Sequence, residues 1–133
     1  MNDLIVFFSK QLEDLECDDI TRAYIISIFT KYKTSIDDLS KDSITLLYSE
    51  AKFRADFVLF NNIGDWLFLC NSIFPEHLNA TSQKYYISIG QSSYYSCYKL
   101  LNKQMKLFEM MADNFNQLSL NTRKLIRGSS NLE

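Results

Sequence analysis

Residues 43–75 read SITLLYSEAKFRADFVLFNNIGDWLFLCNSIFP, and the period of their apolar side chains sets the class of fold. Ile44, Leu47, Tyr48, Ala51, Ala55, Val58 and Leu59 recur at three- and four-residue steps, the spacing of one helix face. Phe53, Phe57 and Phe60 mark a second apolar stripe, so the reading is a central helix packed on both sides. The first stripe stays in phase through Ile63, Trp66, Leu69, Cys70 and Ile73. Asn61, Asn62, Gly64 and Asp65 interrupt it with weak helix formers, which predicts a kink or short break there. Pro75 requires the helix to stop at or before Phe74.

Outward from this stretch the chain remains helical. Asn2 or Asp3 caps a first helix with Leu4, Phe7, Phe8, Leu12 and Leu15 at helical spacing, ending near Cys17. Asp18 and Asp19 open a second, ITRAYIISIFTKYK, with a stripe of Ile25, Ile28, Phe29 and Tyr32. TSIDDLSKDS is a polar connection and PEHLNATSQK a loop, after which Thr81 or Ser82 caps a helix running to about Leu101. A last helical region carries Met105, Phe108, Met111 or Ala112, and Phe115 inward, and Gly128 signals its stop. The expected architecture is an all-α, single-domain bundle of five to six helices over residues 1–128, with 129–133 a frayed tail.

The totals narrow the function. The chain has 133 residues, enough for one self-sufficient core, with three glycines and one proline, too few for a turn-rich β architecture. A net charge of −2 removes any general attraction to nucleic acid. The charge is uneven: residues 1–50 hold ten acids and five bases, residues 99–133 six bases and three acids. Lys99, Lys103, Lys106, Arg123, Lys124 and Arg127 form the only basic grouping, and nucleic acid is the weakest of the partner readings. Cys17, Cys70 and Cys97 are odd in number and lack metal or disulfide spacing, which suits a reducing compartment. The N-terminal residues lack signal-peptide features and no apolar run is long enough for membrane insertion, so the expected location is cytoplasmic.

The second telling stretch is YYISIGQSSYYSCY, residues 85–98, with five tyrosines around Gly90. Tyr86, Gly90, Tyr94 and Tyr98 share one helix face at four-residue steps. A glycine inside a helix costs about 1 kcal/mol against alanine, and the usual compensation is close approach of another backbone. Three readings stay open: rings packed inward with hydroxyls at the rim, a partner-binding or self-associating face, and a stacking pocket. Stacking on nucleic acid is disfavoured because only Lys84 and Lys99 flank the stretch.

IGDWLFLCNSIFPEHLN followed by YYISIGQSSYYS resembles a family of uncharacterised bacterial proteins with a Gly-Asp pair, an apolar run and a Tyr-Tyr-Ile segment before a glycine. The residues that carry the likeness are Gly64, Asp65, Leu67, Phe68, Phe74, Pro75, Tyr85, Tyr86, Ile87, Gly90 and Tyr94. LFEMMADNFNQL, residues 107–118, fits its downstream helix, and the likeness spans roughly residues 54–120. Ser93 before Tyr94 and Asn71 depart from the pattern. The resemblance implies a helical core and no particular activity.

No nucleotide-binding or nucleophile-elbow motif is present, and the single His77 has no metal-ligand spacing, so no cofactor, metal or catalytic residue is assigned. Arg54, Asp56, Asn61, Asn62 and Asp65 form a polar group among large apolar residues. Glu50 and Arg54 are spaced as a surface pair, and Asp65 either caps a helix starting at Trp66 or reaches a tyrosine hydroxyl or Arg54 from a half-buried position. Two functions remain. The first is a non-catalytic protein-binding module of adaptor, chaperone or regulator type, a homodimer joined through the tyrosine-rich helix. The alternative is a small-molecule sensor or enzyme with an aromatic pocket around Arg54, Asp65, Trp66 and Tyr85. The first expects an exposed apolar patch, the second a closed cavity with converging polar groups.

Overall fold

The computed structural model describes residues 3–31, 44–73 and 83–130, and among these every regular element is a helix. They are α1 (Asp3–Gln11), α2 (Asp19–Lys31), α3 (Ile44–Arg54), α4 (Phe57–Ser72), α5 (Gln83–Leu100), α6 (Lys106–Asp113) and α7 (Phe115–Ser130). The connections predicted at TSIDDLSKDS and PEHLNATSQK, with Pro75, His77 and the caps at Thr81 or Ser82, lie outside the described residues.

Among the described residues seven helices stand where five to six were expected for the chain, because two predicted helices are each divided. The break in the long central helix falls at Ala55–Asp56, ahead of the predicted Asn61–Asp65. Ala55 adopts φ 49°, a left-handed conformation that costs an alanine about 1–2 kcal/mol. Local hydrogen bonds offset it: Asp56 N–H donates to Ala51 O at 3.1 Å and Ala55 N–H to Lys52 O at 3.4 Å, the paired bonds of a Schellman stop. The Asp56 carboxylate then accepts from Leu59 N–H at 3.1 Å and caps α4. A strong capping residue thus outweighs the weak helix formers downstream, and Gly64 and Asp65 sit inside an unbroken helix.

α5 stops by the same device, with Asn102 at φ 57° and Lys103 at φ 60°. Lys103 N–H reaches Tyr98 O at 2.8 Å and Asn102 N–H reaches Lys99 O at 3.0 Å. The last helical region divides at Asn114, whose side-chain amide bonds the Met110 carbonyl at 3.1 Å. α7 then continues two residues past Gly128.

α4 is the axis of the bundle. From Ile63 to Ser72 every residue is buried, the signature of a helix covered on all sides, and it packs against α2, α3, α5 and α7. The buried character belongs to this second half of the predicted central helix. α3 buries Ile44 and Ala51, while Leu46 and Phe53, the latter read as part of a second inward stripe, are 74% and 91% exposed. The carboxyl end of α4 meets α7. Arg123 donates to the carbonyls of Asn71 and Ser72, and Arg127 donates to that of Ile73. Cations at a helix C-terminus satisfy its orphan carbonyls and oppose its dipole. Two of the six C-terminal bases are therefore committed to holding α7 on α4.

Candidate functional site

Asp65 lies in the middle of α4 at 2% exposure, and its environment is assembled from three helices. Tyr24 of α2 donates to its Oδ1 at 2.5 Å and Tyr94 of α5 donates to the same atom at 2.7 Å. Asn61, one turn earlier on α4, donates to the Tyr24 hydroxyl at 2.6 Å and stands 3.5 Å from Oδ1. Lys31, at the last turn of α2, approaches Oδ2 at 3.4 Å and Asn62 Oδ1 at 3.4 Å. The helical repeat produces this convergence: Asn61 and Asp65 are four residues apart on α4, Tyr24 and Lys31 seven apart on α2.

Gly64 makes room for the tyrosine. A Cβ placed there would lie 2.8 Å from Tyr94 Cε1, so only glycine lets the ring settle against α4 and bring its hydroxyl to Asp65. Gly90 is used in the same way one layer away, where a Cβ would meet Phe115 Cζ at 2.5 Å. Tyr94 in turn packs its ring near Phe108 and Phe115, with centroids 6.2 and 5.9 Å away.

Burial dominates the electrostatics. It raises the Asp65 carboxyl above the ordinary carboxylate value, although donation from Tyr24 and Tyr94 and the charge of Lys31 pull the other way. Tyr24 and Tyr94 are pushed well above the ordinary phenol value, by burial first and by the Asp65 charge second. Cys97 is pushed up to about 12 by burial and then by Asp65. At that value the thiol stays protonated, which removes it as a nucleophile. The donors crowd on Oδ1, which accepts from both tyrosines, whereas among the described residues Oδ2 is approached by Lys31 at 3.4 Å.

The expected sites separate in space. Asp65 does not cap a helix at Trp66; it sits mid-helix and reaches tyrosine hydroxyls. Trp66 is buried at 3%, whereas Arg54 is exposed and pairs with Glu50 at 2.6 Å as a surface i, i+4 bridge. Tyr85 is 48% exposed and shares a 3.0 Å hydrogen bond with Thr45 of α3. These four side chains therefore do not enclose one pocket. Gly90, Tyr94 and Tyr98 are buried in the single chain and Tyr86 is half-buried, so the strip expected to face a partner faces this chain's own core. The close approach predicted at Gly90 is made by an aromatic ring of α7, and the physical reason is that Phe115 fills the notch a side chain would occupy.

What α5 leaves outside is polar: an open cleft of about 510 Å³ lined by Tyr48, Gln91, Ser92, Tyr95, Ser96, Lys99, Ala112 and Asp113. A different surface is apolar. In α1, Ile5, Val6 and Phe7 are 47%, 56% and 51% exposed. Ile5 and Ser9 form one wall of a groove of about 350 Å³, with Ala23, Ile26, Ser27, Thr30 and Lys31 of α2 as the other. Ile20, 69% exposed, precedes Ala23 by one turn on α2. Sequence reading missed both the groove and the Tyr24–Lys31 arm of the Asp65 cluster. The available signal was that apolar residues occupy almost every side of α1, more than one core-facing stripe can absorb.

Among the described residues no group of three or more His, Cys, Asp and Glu side chains gathers, and no helix is long and apolar enough to cross a membrane. Cys17, Cys70 and Cys97 form no disulfide. Comparison of the chain with known protein families, curated proteins and solved structures gives no match.

Proposed function

We propose that the protein is a non-catalytic helical binding module, of adaptor or chaperone type, that takes an apolar helix or segment of a partner protein along the α1–α2 face. The observation that carries this is the apolar groove between α1 and α2, lined by Ile5, Ala23 and Ile26, with Ile5 47% exposed at its edge. An apolar groove left open to water marks an interaction surface. A groove between two helices suits helix-in-groove recognition, where side chains at i, i+3 and i+7 of the guest fill the hollow. The buried Asp65 cluster supports the same reading from the other side. Its side chains reach one another across α2, α4 and α5 inside the bundle, which leaves recognition to the surface.

The contact thus moves from the tyrosine-rich face of α5 to α1 and α2. A second copy and a different protein are both admissible guests, and native mass separates them. The test compares wild type with an Ile5→Asp/Ile26→Asp variant, each recovered from the source cells under native conditions. Wild type is expected in a species heavier than the 15.6 kDa chain, and the variant as a folded single chain. Both positions are at least partly exposed, so the variant should keep its helical spectrum. A wild type recovered as a bare monomer, or a variant that keeps the heavier species, contradicts the proposal.

A further inference from the structure

The Asp65 cluster is also the seam along which α2 meets the rest of the bundle. Tyr24 and Lys31 both reach the carboxylate, and Asn61 of α4 donates to Tyr24. Around this polar seam α2 buries Ile25, Ile28 and Phe29. α1 leans on α2 in turn, with the Phe8 and Phe29 rings 5.3 Å apart. The α1–α2 pair thus meets α4 and α5 at one ionisable group set in an apolar surround, and it is held besides by packing of α2 on α6 and of α1 on α7.

We propose that Asp65 is a proton-operated latch for the α1–α2 pair: as the neutral acid it holds α2 against α4 and α5, and as the carboxylate it loosens that docking. This inference is independent of which partner the outer face accepts. Its basis is the mismatch between site and charge. At 2% exposure an anion loses nearly all its hydration, and that loss must be offset by donors. From α2 the facing groups are the Tyr24 hydroxyl and the Lys31 ammonium. From α5 they are the Tyr94 hydroxyl and the Cys97 thiol, and α4 itself adds the neutral Asn61. Phe108 of α6, packed on both tyrosine rings, adds only apolar surface.

Among the described residues Lys31 is the single cation that faces Asp65. It stands at 3.4 Å with half its side chain in water, where solvent screens much of its effect. Burial therefore prevails over the donors, in agreement with the upward displacement of this carboxyl. Lifting α2 removes Tyr24 and admits water, so the carboxylate is better accommodated open than closed. Because the folded-state value is raised, the contribution of Asp65 to docking is fully present below about pH 4 and is lost as pH rises through the folded-state midpoint.

The test is a carbon-13 titration of the Asp65 carboxyl in wild type, together with amide-exchange protection of α2 and of α5 from about pH 3 to about pH 8. The expected midpoint lies above the ordinary carboxylate value of about 4. Protection of the α2 amides should fall about tenfold for each pH unit by which that midpoint is raised, while core amides of α5 keep theirs. Asp65→Asn, which mimics the neutral acid, should abolish the pH dependence in α2. Tyr24→Phe, which removes a donor to the anion, should move the midpoint higher. A wild-type midpoint at or below 4, α2 protection independent of pH, equal pH dependence in Asp65→Asn, or an unmoved midpoint in Tyr24→Phe would each overturn the latch.

Discussion

Gly90→Leu is expected to abolish the fold of the isolated chain. A single Cβ at this position would lie 2.5 Å from Phe115 Cζ and 2.6 Å from Cε2, and leucine adds three further carbons beyond it. Phe115 is fully buried and is itself pressed against Phe68, with ring centroids 5.5 Å apart, so it has nowhere to retreat. Inserted methylenes in a packed core cost about 1–3 kcal/mol and more when the surround cannot shift. A typical domain has only about 5–15 kcal/mol in total. Far-UV circular dichroism should show a largely unfolded variant at 37 °C. Gly90→Ala should lose less, because the helix gains about 1 kcal/mol of propensity from alanine. Pairing Gly90→Ala with Phe115→Leu should recover part of that loss, since the smaller partner vacates the contested volume. A folded Gly90→Leu protein with wild-type melting would contradict the packing described for α5 and α7.

Asp65→Ala is expected to be the next most damaging change. It strands the Tyr24 and Tyr94 hydroxyls, both turned toward a site water scarcely reaches, and it leaves a small void beside Gly64. Each unsatisfied buried hydroxyl costs about 1–3 kcal/mol, so the loss from the two is roughly 2–6 kcal/mol. The melting temperature should fall by about 10–20 °C in a chain of this length. Adding Tyr94→Phe to Asp65→Ala should destabilise little further, because the orphaned hydroxyl has gone. Tyr94→Phe alone leaves a donor missing from the carboxylate and should cost more than it does in the double variant. Additive losses would show that the hydroxyl and the carboxylate are not coupled.

The helical class was legible because it is written in spacing. Ile25, Ile28 and Phe29, or Phe108 and Phe115, keep helical period whatever they pack against. The caps were legible where a short polar side chain stands alone before an apolar run: Asp18 accepts from Thr21 N–H at 2.7 Å, as its position suggested. Asp56 was read as one of a polar group and not as a cap, because Ala55 and Phe57 continue the apolar phase across it and a left-handed alanine has no compositional signature. The role of Gly90 was half legible. Its helical context signals a close approach, yet whether a ring or a backbone approaches depends on α7, which lies far along the chain. Asp65 stood out as an acid among apolar residues, and a buried acid requires donors. That Tyr24 and Lys31 supply them follows from how α2 lies across α4, a tertiary fact that local pattern does not carry.

The inward facing of the tyrosines has a consequence for function. Five tyrosines in 14 residues resemble a sticky surface, but Tyr94 and Tyr98 are consumed by the core, and the outer remainder around Tyr95 is a polar cleft. The apolar surface offered to a partner lies instead on α1 and α2, on the far side of the Asp65 seam. Photo-crosslinking from single sites in living cells distinguishes the two faces most directly, with a photoreactive residue in place of Ile5 in one strain and of Tyr95 in another. The account predicts a discrete protein adduct from position 5 and none from position 95. An adduct from position 95 with none from position 5 would contradict it and return the partner surface to the tyrosine-rich helix.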